Sequence, residues 1–377
     1  VGCQTLIKVA AEAALIAMPN RTLSKLRNFR LGPEWKKKTG QLNSKLSEFS
    51  RLFESKKYPT PDELFFEIED LPSMGKEYWF LHFCAPPREE QVILTMGRSV
   101  DPVLVNGVAV PEGNAQQGVV CAAVCWLQSS NGKQVIFDSS ARVRLEKGRE
   151  KNLLEARDGG SKITISGKYP HFDVELVKGG KKIFTARAYH PSEGKHHEMV
   201  HILANPVAPR FGAAMINYYF EFDGVLEGKK LSGKAYLQKV VATMPLAPWN
   251  WVRLQFGNGA ALDVFTGKPF GNSSGLRFAS NYYFEIHGRR VKLHSLSIQT
   301  YLEGERKIWV LSGKNFFCAM ETYALQPFVM RQKTTFRYDE YLVRVKSFAL
   351  REGGREYTLS DLGGGVGLAE DASGYLF

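Results

Sequence analysis

From about Leu64 to the end, the chain follows one pattern. Short runs of Val, Ile, Phe, Tyr and Trp alternate with polar residues and stop at Gly, Asn or Asp. Gln91-Val92-Ile93-Leu94-Thr95, Ser161-Lys162-Ile163-Thr164-Ile165 and Phe172-Asp173-Val174-Glu175-Leu176-Val177 are examples. Alternation with period two is the signature of a strand with two unlike faces. Lys178-Gly179-Gly180-Lys181, Ser130-Asn131-Gly132-Lys133 and Gly288-Arg289-Arg290 read as hairpin turns, because Gly and Asn tolerate the positive φ of tight hairpins. Roughly 300 residues of antiparallel sheet are too many to stay open, and closure into barrels removes the exposed edges. The expected fold is all-β: two tandem antiparallel barrels behind an N-terminal helical segment.

A weak internal repeat supports two units. Tyr78-Trp79-Phe80-Leu81-His82-Phe83 resembles Asn250-Trp251-Val252-Arg253-Leu254-Gln255-Phe256, and each opens a β stretch. Leu231 to Leu237 resembles Leu362 to Leu368, and each closes one. Met244-Pro245-Leu246-Ala247-Pro248 falls between. The expected division is a helical, basic segment over 1–63, a first barrel over 64–244 and a second over 245–377.

Composition narrows the class. With 24 Phe, 15 Tyr and 6 Trp in 377 residues, the chain has enough apolar surface to fold. No apolar run approaches the roughly 20 residues of a membrane-spanning helix. Cys3, Cys84, Cys121, Cys125 and Cys318 are too few and scattered for a disulfide scaffold, and read as reduced thiols of a cytoplasmic protein. Val1 to Asn20 is apolar but interrupted by Lys8 and Glu12, and does not read as a signal peptide.

The net charge of +12 is uneven: the first 60 residues hold twelve Lys and Arg against four acids. Residues 3–32 and 41–56 read as helices, the second from Leu42, Leu46, Phe49 and Phe53 on one face. Either this basic segment is a solvated helical face, or Leu23, Leu26, Phe29 and Leu31 bring it to an anionic membrane surface. It lacks the interleaved aromatics of a nucleic-acid module, so no nucleic-acid partner is expected.

Gly233-Lys-Ala-Tyr-Leu-Gln-Lys-Val240, a proline-bearing spacer, Trp249-Asn-Trp251 and Gly257-Asn-Gly-Ala-Ala-Leu-Asp263 together resemble the AttH/carotenoid 1,2-hydratase (hydroxyneurosporene synthase) superfamily over about 75–377. The resemblance implies two tandem lipocalin-like barrels. It also implies a hydrophobic substrate, isoprenoid or polyketide-like, bound in a barrel cavity, and a hydration, isomerisation or cyclisation of lyase or cyclase type without a cofactor. Gln238 and Val240 stand where that family carries a His-x-Trp pair. Glutamine is not a general acid near neutral pH, so the hydratase's proton transfer does not carry over intact.

The candidate catalytic residues are Tyr236, Gln238 and Asp263, with Trp249, Trp251, Trp79 and His82 as substrate-binding residues. Gln238 would orient, Asp263 would act as acid or base, and aromatic faces would stack on a polyene or cationic intermediate. In a strand Tyr236, Gln238 and Val240 share one face and Leu237 and Lys239 the other. The alternative is that both tryptophans pack a domain interface and Asp263 is an ordinary strand residue. A non-catalytic lipid carrier, and an interaction protein whose barrels are filled with side chains, are the rival functions.

His197-Glu198-Met199-Val200-His201 matches H-E-x-x-H, which binds zinc when a helix brings the two histidines to one face. Its β surroundings predict a strand, which would hold the pair about 13 Å apart. No metal is therefore expected, though His190, His197 or His201 could face a cavity as a proton-transfer group. Cys121 and Cys125 share a strand face and read as core. The glycine-rich Gly363-Gly364-Gly365-Val366-Gly367 reads as a bent or closely approached strand, not a nucleotide loop.

Overall fold

The computed structural model describes residues 60–69, 71, 75–110, 119–190, 197–202, 213–243, 246, 248–268, 278–293 and 295–376. Residues 1–59, with the helices expected at 3–32 and 41–56 and the basic surplus, lie outside the described residues.

A one-turn helix α1 (Pro61–Phe65) leads into the first sheet. Its strands are β1 (Gly75–Cys84), β2 (Gln91–Ser99), β5 (Val119–Ser129), β6 (Gly132–Phe137), β7 (Ser140–Glu146) and β8 (Asn152–Asp158). They continue with β9 (Ser161–Lys168), β10 (His171–Lys178), β11 (Lys181–Tyr189), β12 (His197–Ile202), β13 (Ala213–Leu226) and β14 (Lys229–Thr243). The path runs β11-β10-β9-β8-β7-β5-β2-β1-β14-β13, and β13 returns to pair with β11, closing the barrel. The Gly179-Gly180 turn lies where expected, with both residues at positive φ between β10 and β11.

The second sheet comprises β15 (Trp249–Phe256), β16 (Ala261–Gly267), β17 (Phe278–Ile286), β18 (Arg289–Lys292), β19 (Ser297–Glu303) and β20 (Arg306–Ser312). It continues with β21 (Phe316–Arg331), β22 (Thr335–Glu352), β23 (Arg355–Thr358), the short helix α2 (Leu359–Leu362) and β24 (Gly365–Gly374). Its path is β18-β17-β16-β15-β24-β22-β21-β20-β19, with no β18–β19 pairing among the described residues. The hairpin β3 (Val103–Val105) and β4 (Val108–Val110) leaves the first barrel and pairs with β21, so the two halves are stitched together. The repeat has its architectural counterpart: in each half the first strand pairs antiparallel with the last, β1 with β14 and β15 with β24.

Each half has its own core. Trp79, Leu81, Phe83, Leu94, Cys121, Cys125 and Phe172 fill the first barrel, and α1 adds Leu64 and Phe65. Val252, Leu254, Leu262, Phe284, Trp309 and Val343 fill the second. A third core sits between them, built from Phe80, Ile93, Trp126 and Tyr236 on one side and Trp251, Phe336, Tyr338, Leu342 and Leu368 on the other. The strands at this seam are therefore buried on both faces, where a solitary barrel would show one face to water.

Gly367 explains part of the glycine run. A Cβ there would lie 2.0 Å from the Arg253 carbonyl oxygen, so only glycine lets β24 come this close to β15. Gly367→Ala is expected to cost about 1–3 kcal/mol through a forced backbone shift, read as a lower urea midpoint at unchanged m. An unchanged midpoint would refute the close approach.

Candidate functional site at the seam between the barrels

Strand parity sorts the candidate residues. Tyr78, Phe80 and His82 leave β1 toward the seam, whereas Trp79 turns into the first barrel. There its indole N–H donates to the Phe65 carbonyl at 2.9 Å, and the Lys239 ammonium lies 3.2 Å from its ring centroid. Trp79 and His82, both expected to bind substrate, thus face opposite sides of β1, because odd and even positions of one strand do. On β14, Tyr236, Gln238 and Val240 face the seam and Leu237 and Lys239 face inward.

Two polar groups lie on the seam. In the first, Tyr236 donates to Asn217 Oδ1 at 2.9 Å, and Gln238 Nε2 donates to the Tyr236 hydroxyl at 2.8 Å and to Asn217 at 2.9 Å. Facing them from the second sheet, Asp263 accepts from Trp251 Nε1 at 3.1 Å and from Arg253 Nη1 at 2.5 Å. The Arg253 guanidinium lies 4.3 Å from the Tyr236 ring and 5.1 Å from that of Tyr219. Phe80 and Tyr236 flank Trp251 at 5.3 and 5.5 Å between ring centroids. Burial raises the Asp263 carboxyl above the ordinary aspartate value, opposed by Arg253 and the Trp251 N–H. Burial works against the charge on Arg253, yet Asp263 and the surrounding tyrosines hold its pKa above normal. Gln238, Tyr219 and Tyr283 are only half-buried, so this end of the seam meets solvent.

Two acids that sequence reasoning did not single out form the second group. Trp251 sits directly opposite Glu370, and Glu370 directly opposite Glu340, in one row across β15, β24 and β22. Glu370 accepts from Trp249 Nε1 at 2.8 Å and from the Tyr338 hydroxyl. Glu340 accepts from Trp126 Nε1 at 2.6 Å and from the Thr95 hydroxyl of the other barrel. Both are almost fully buried. Burial pushes Glu340 up to about 7 and Glu370 up to about 8, against the pull of those hydrogen bonds. Proximity to Glu340 raises Glu370 further. Trp249, expected to bind substrate, thus holds an acid.

His82 is at the seam but apart from Asp263. Its Nε2 lies 2.5 Å from Gln91 Oε1, and burial lowers its pKa to about 4, so it is neutral at pH 7. The H-E-x-x-H segment is a strand: β12 pairs with β13, His197 opposite Tyr218 and His201 opposite Ala214. The strand is the one expected; the side chains of both histidines lie outside the described residues. Cys121 and Cys125 are fully buried, as expected, and burial pushes the Cys121 thiol up to about 12.

A groove of about 610 Å³ lies on the outer face of the first barrel, lined by Glu155, Lys162, Thr164, Asp173, Arg187 and Asp223. It is open and carries charges that pair with one another, as Arg187 does with Asp173 at 3.1 Å. Leu153, Val174 and Ala186 are the apolar part of a lining otherwise polar or charged, and the titratable groups with the largest upward shifts among the acids lie at the seam instead.

No family model matches the chain, and no curated protein does. Among solved structures it is similar to a candidate AttH of Nitrosomonas europaea, with 13% identity and a TM-score of 0.47 over 84% of this chain and 96% of that one. It is also similar to CghA with Sch210972, with 11% identity and a TM-score of 0.45 over 79% and 88%. Kievitone hydratase from Nectria haematococca follows, with 12% identity and a TM-score of 0.38 over 79% and 89%. The first of these bears the family name that residues 233–263 suggested. Likenesses this distant say nothing of what the seam of this chain binds or does.

Proposed function

We propose that the seam between the two barrels receives a hydrophobic small molecule and transforms it by proton transfer, as a hydration, isomerisation or cyclisation without a redox cofactor. The observation that carries this reading is the Glu340–Glu370 pair. A carboxylic acid that keeps its proton near pH 7 is a general acid poised for use, and natural chains rarely bury two side by side. Trp126, Trp249 and Trp251 surround the acids with aromatic surface, which favours a developing cation. Asp263 and Arg253 are a second charge pair that can hold or compensate a proton, and Tyr236 with Gln238 presents donors at the half-open end. An apolar substrate folded against these walls would meet the acid in a low-dielectric setting, where developing charge is felt most strongly.

The test is deuterium transfer. The full chain is incubated in D2O with a panel of isoprenoid and polyketide alkenes, and products are read by mass spectrometry. Incorporation by the wild type, lost in Glu370→Gln and reduced in Gln238→Ala and Asp263→Asn, is expected. No incorporation with any member of the panel, or equal incorporation in all four proteins, refutes the proposal. A co-purified lipid released unchanged would point to a carrier instead.

A further inference from the structure

On the opposite face of the seam strands, inside the second sheet, lies another polar group. Asp371 of β24 binds two lysines, Lys268 Nζ at 2.6 Å and Lys307 Nζ at 2.8 Å. Lys307 also reaches the Tyr341 hydroxyl at 3.3 Å, and lies 4.7 Å from the Trp309 ring centroid and 4.4 Å from that of Tyr341. Nearby, Arg337 pairs with Asp339 at 2.9 Å. Among the described residues three cations thus face two carboxylates, and the surplus among them is positive.

Two buried polar atoms here have no partner among the described residues: the indole nitrogen of Trp309 and the hydroxyl of Thr322. Trp309 is 0% exposed and Thr322 9%. They lie on adjacent strands: Trp309 of β20 pairs with Met320 of β21, two residues before Thr322, and Ile308, next to Lys307, pairs with Glu321, next to Thr322. An indole N–H can only donate, and a hydroxyl can donate as well as accept. Orphaned buried polar groups are uncommon and call for an explanation. An ammonium has three N–H bonds, and Lys307 has two hydrogen-bond acceptors here.

We propose that this end of the second barrel binds a small carboxylate, held by Lys307, the Trp309 indole N–H and the Thr322 hydroxyl. A carboxylate supplies two acceptor oxygens to three donors and neutralises the surplus charge. The ligand is short, because Val252, Leu254, Leu311 and Val343, all 0% exposed, fill the barrel beyond the polar end. It enters from solvent, which the side chains of Lys307 and Asp371 reach at 17% and 19% exposure. None of the seam acids takes part, so this proposal and the proton-transfer reading stand or fall separately.

Acetate and propionate are titrated into the full chain carrying 15N-labelled indoles, with sodium chloride at matched ionic strength as control. Trp309→Phe assigns the signal. The Trp309 resonance is expected to move saturably with either carboxylate and not with chloride. Lys307→Gln is expected to weaken binding by about tenfold or more, the loss of one charge-assisted hydrogen bond. Thr322→Val should weaken it too, and carries the same test if the lysine variant does not fold. A resonance that stays put, moves equally in chloride, or shows contact with bound water alone overturns the proposal. So does unchanged affinity in the folded variants.

Discussion

Replacing Glu77 with glutamine is expected to cost the fold about 3–5 kcal/mol, the penalty for leaving buried charge without its partner. Glu77 is 0% exposed inside the first barrel. One carboxylate oxygen meets Arg98 Nε at 2.5 Å, and the other meets Lys239 Nζ at 2.6 Å and the Glu69 backbone N–H at 3.2 Å. Lys239 also donates to the Glu67 carbonyl at 2.7 Å. The network therefore pins the segment after α1, whose Leu64 and Phe65 are part of the barrel core. An amide keeps the shape but loses the charge, and turns an N–H toward one of the two cations.

The pH dependence has a definite sign. Burial lowers the Lys239 pKa, and Glu77 is the main influence holding it up. Without Glu77 it falls further, so over a wider range the unfolded chain binds a proton that the folded one does not. Stability of the variant must then rise with pH between the lowered folded value and the ordinary lysine range. Urea unfolding of Glu77→Gln should show a deficit that shrinks at alkaline pH, and hydrogen exchange should speed up over 61–69. Adding Lys239→Met should recover part of the loss, because it removes the buried ammonium left without its carboxylate, while Arg98 still lacks its partner. A deficit below about 1 kcal/mol would mean that water reaches the network.

Much of this architecture is legible in the residues, and the limits of legibility are physical. Period-two alternation and Gly-Gly or Asn-Gly turns report local backbone geometry, so the strands, the hairpins and the shared face of Tyr236 and Gln238 follow from them. Which face of a strand meets another body is a tertiary property. Trp79 and Phe80 look equally apolar, yet one fills a barrel and the other the seam. Glu340 and Glu370 are hard to read from sequence for the same reason: in a solitary barrel, acids opposite an inward-facing row are expected to meet water. A signal was nonetheless present. Tyr338-Asp339-Glu340-Tyr341-Leu342-Val343 places an acid amid bulky residues on both parities, the mark of a strand covered on two sides. The orphaned Trp309 N–H has no counterpart in sequence at all, since it depends on what its neighbours fail to supply.

Glu370→Gln is expected to yield a protein that is more stable at neutral pH and nearly inactive. In the unfolded chain this carboxyl titrates near its ordinary 4.5, and in the folded chain near 8. Below the ordinary range both states are protonated and the shift has no effect. As pH rises the unfolded chain releases its proton while the folded one retains it, so stability drains away until the folded group ionises. At pH 7 this amounts to roughly 3 kcal/mol, counting about 1.4 kcal/mol for each pH unit. The amide never titrates, and it can accept from Trp249 and donate to the Tyr338 hydroxyl. Wild type and variant should therefore unfold at similar urea concentrations near pH 5 and diverge toward pH 8, the variant ahead. Turnover in the deuterium assay should fall by about 10²–10⁴-fold, the usual worth of a general acid. The two readouts must move in opposite directions for the proton-transfer reading to hold. A variant that gains stability without losing turnover would make Glu370 a flaw in packing that the fold tolerates, whereas one that loses both would make it an ordinary structural acid, ionised and paired. Only a group kept at the expense of stability, with activity as the return, fits a chain that buries two carboxyls between two barrels.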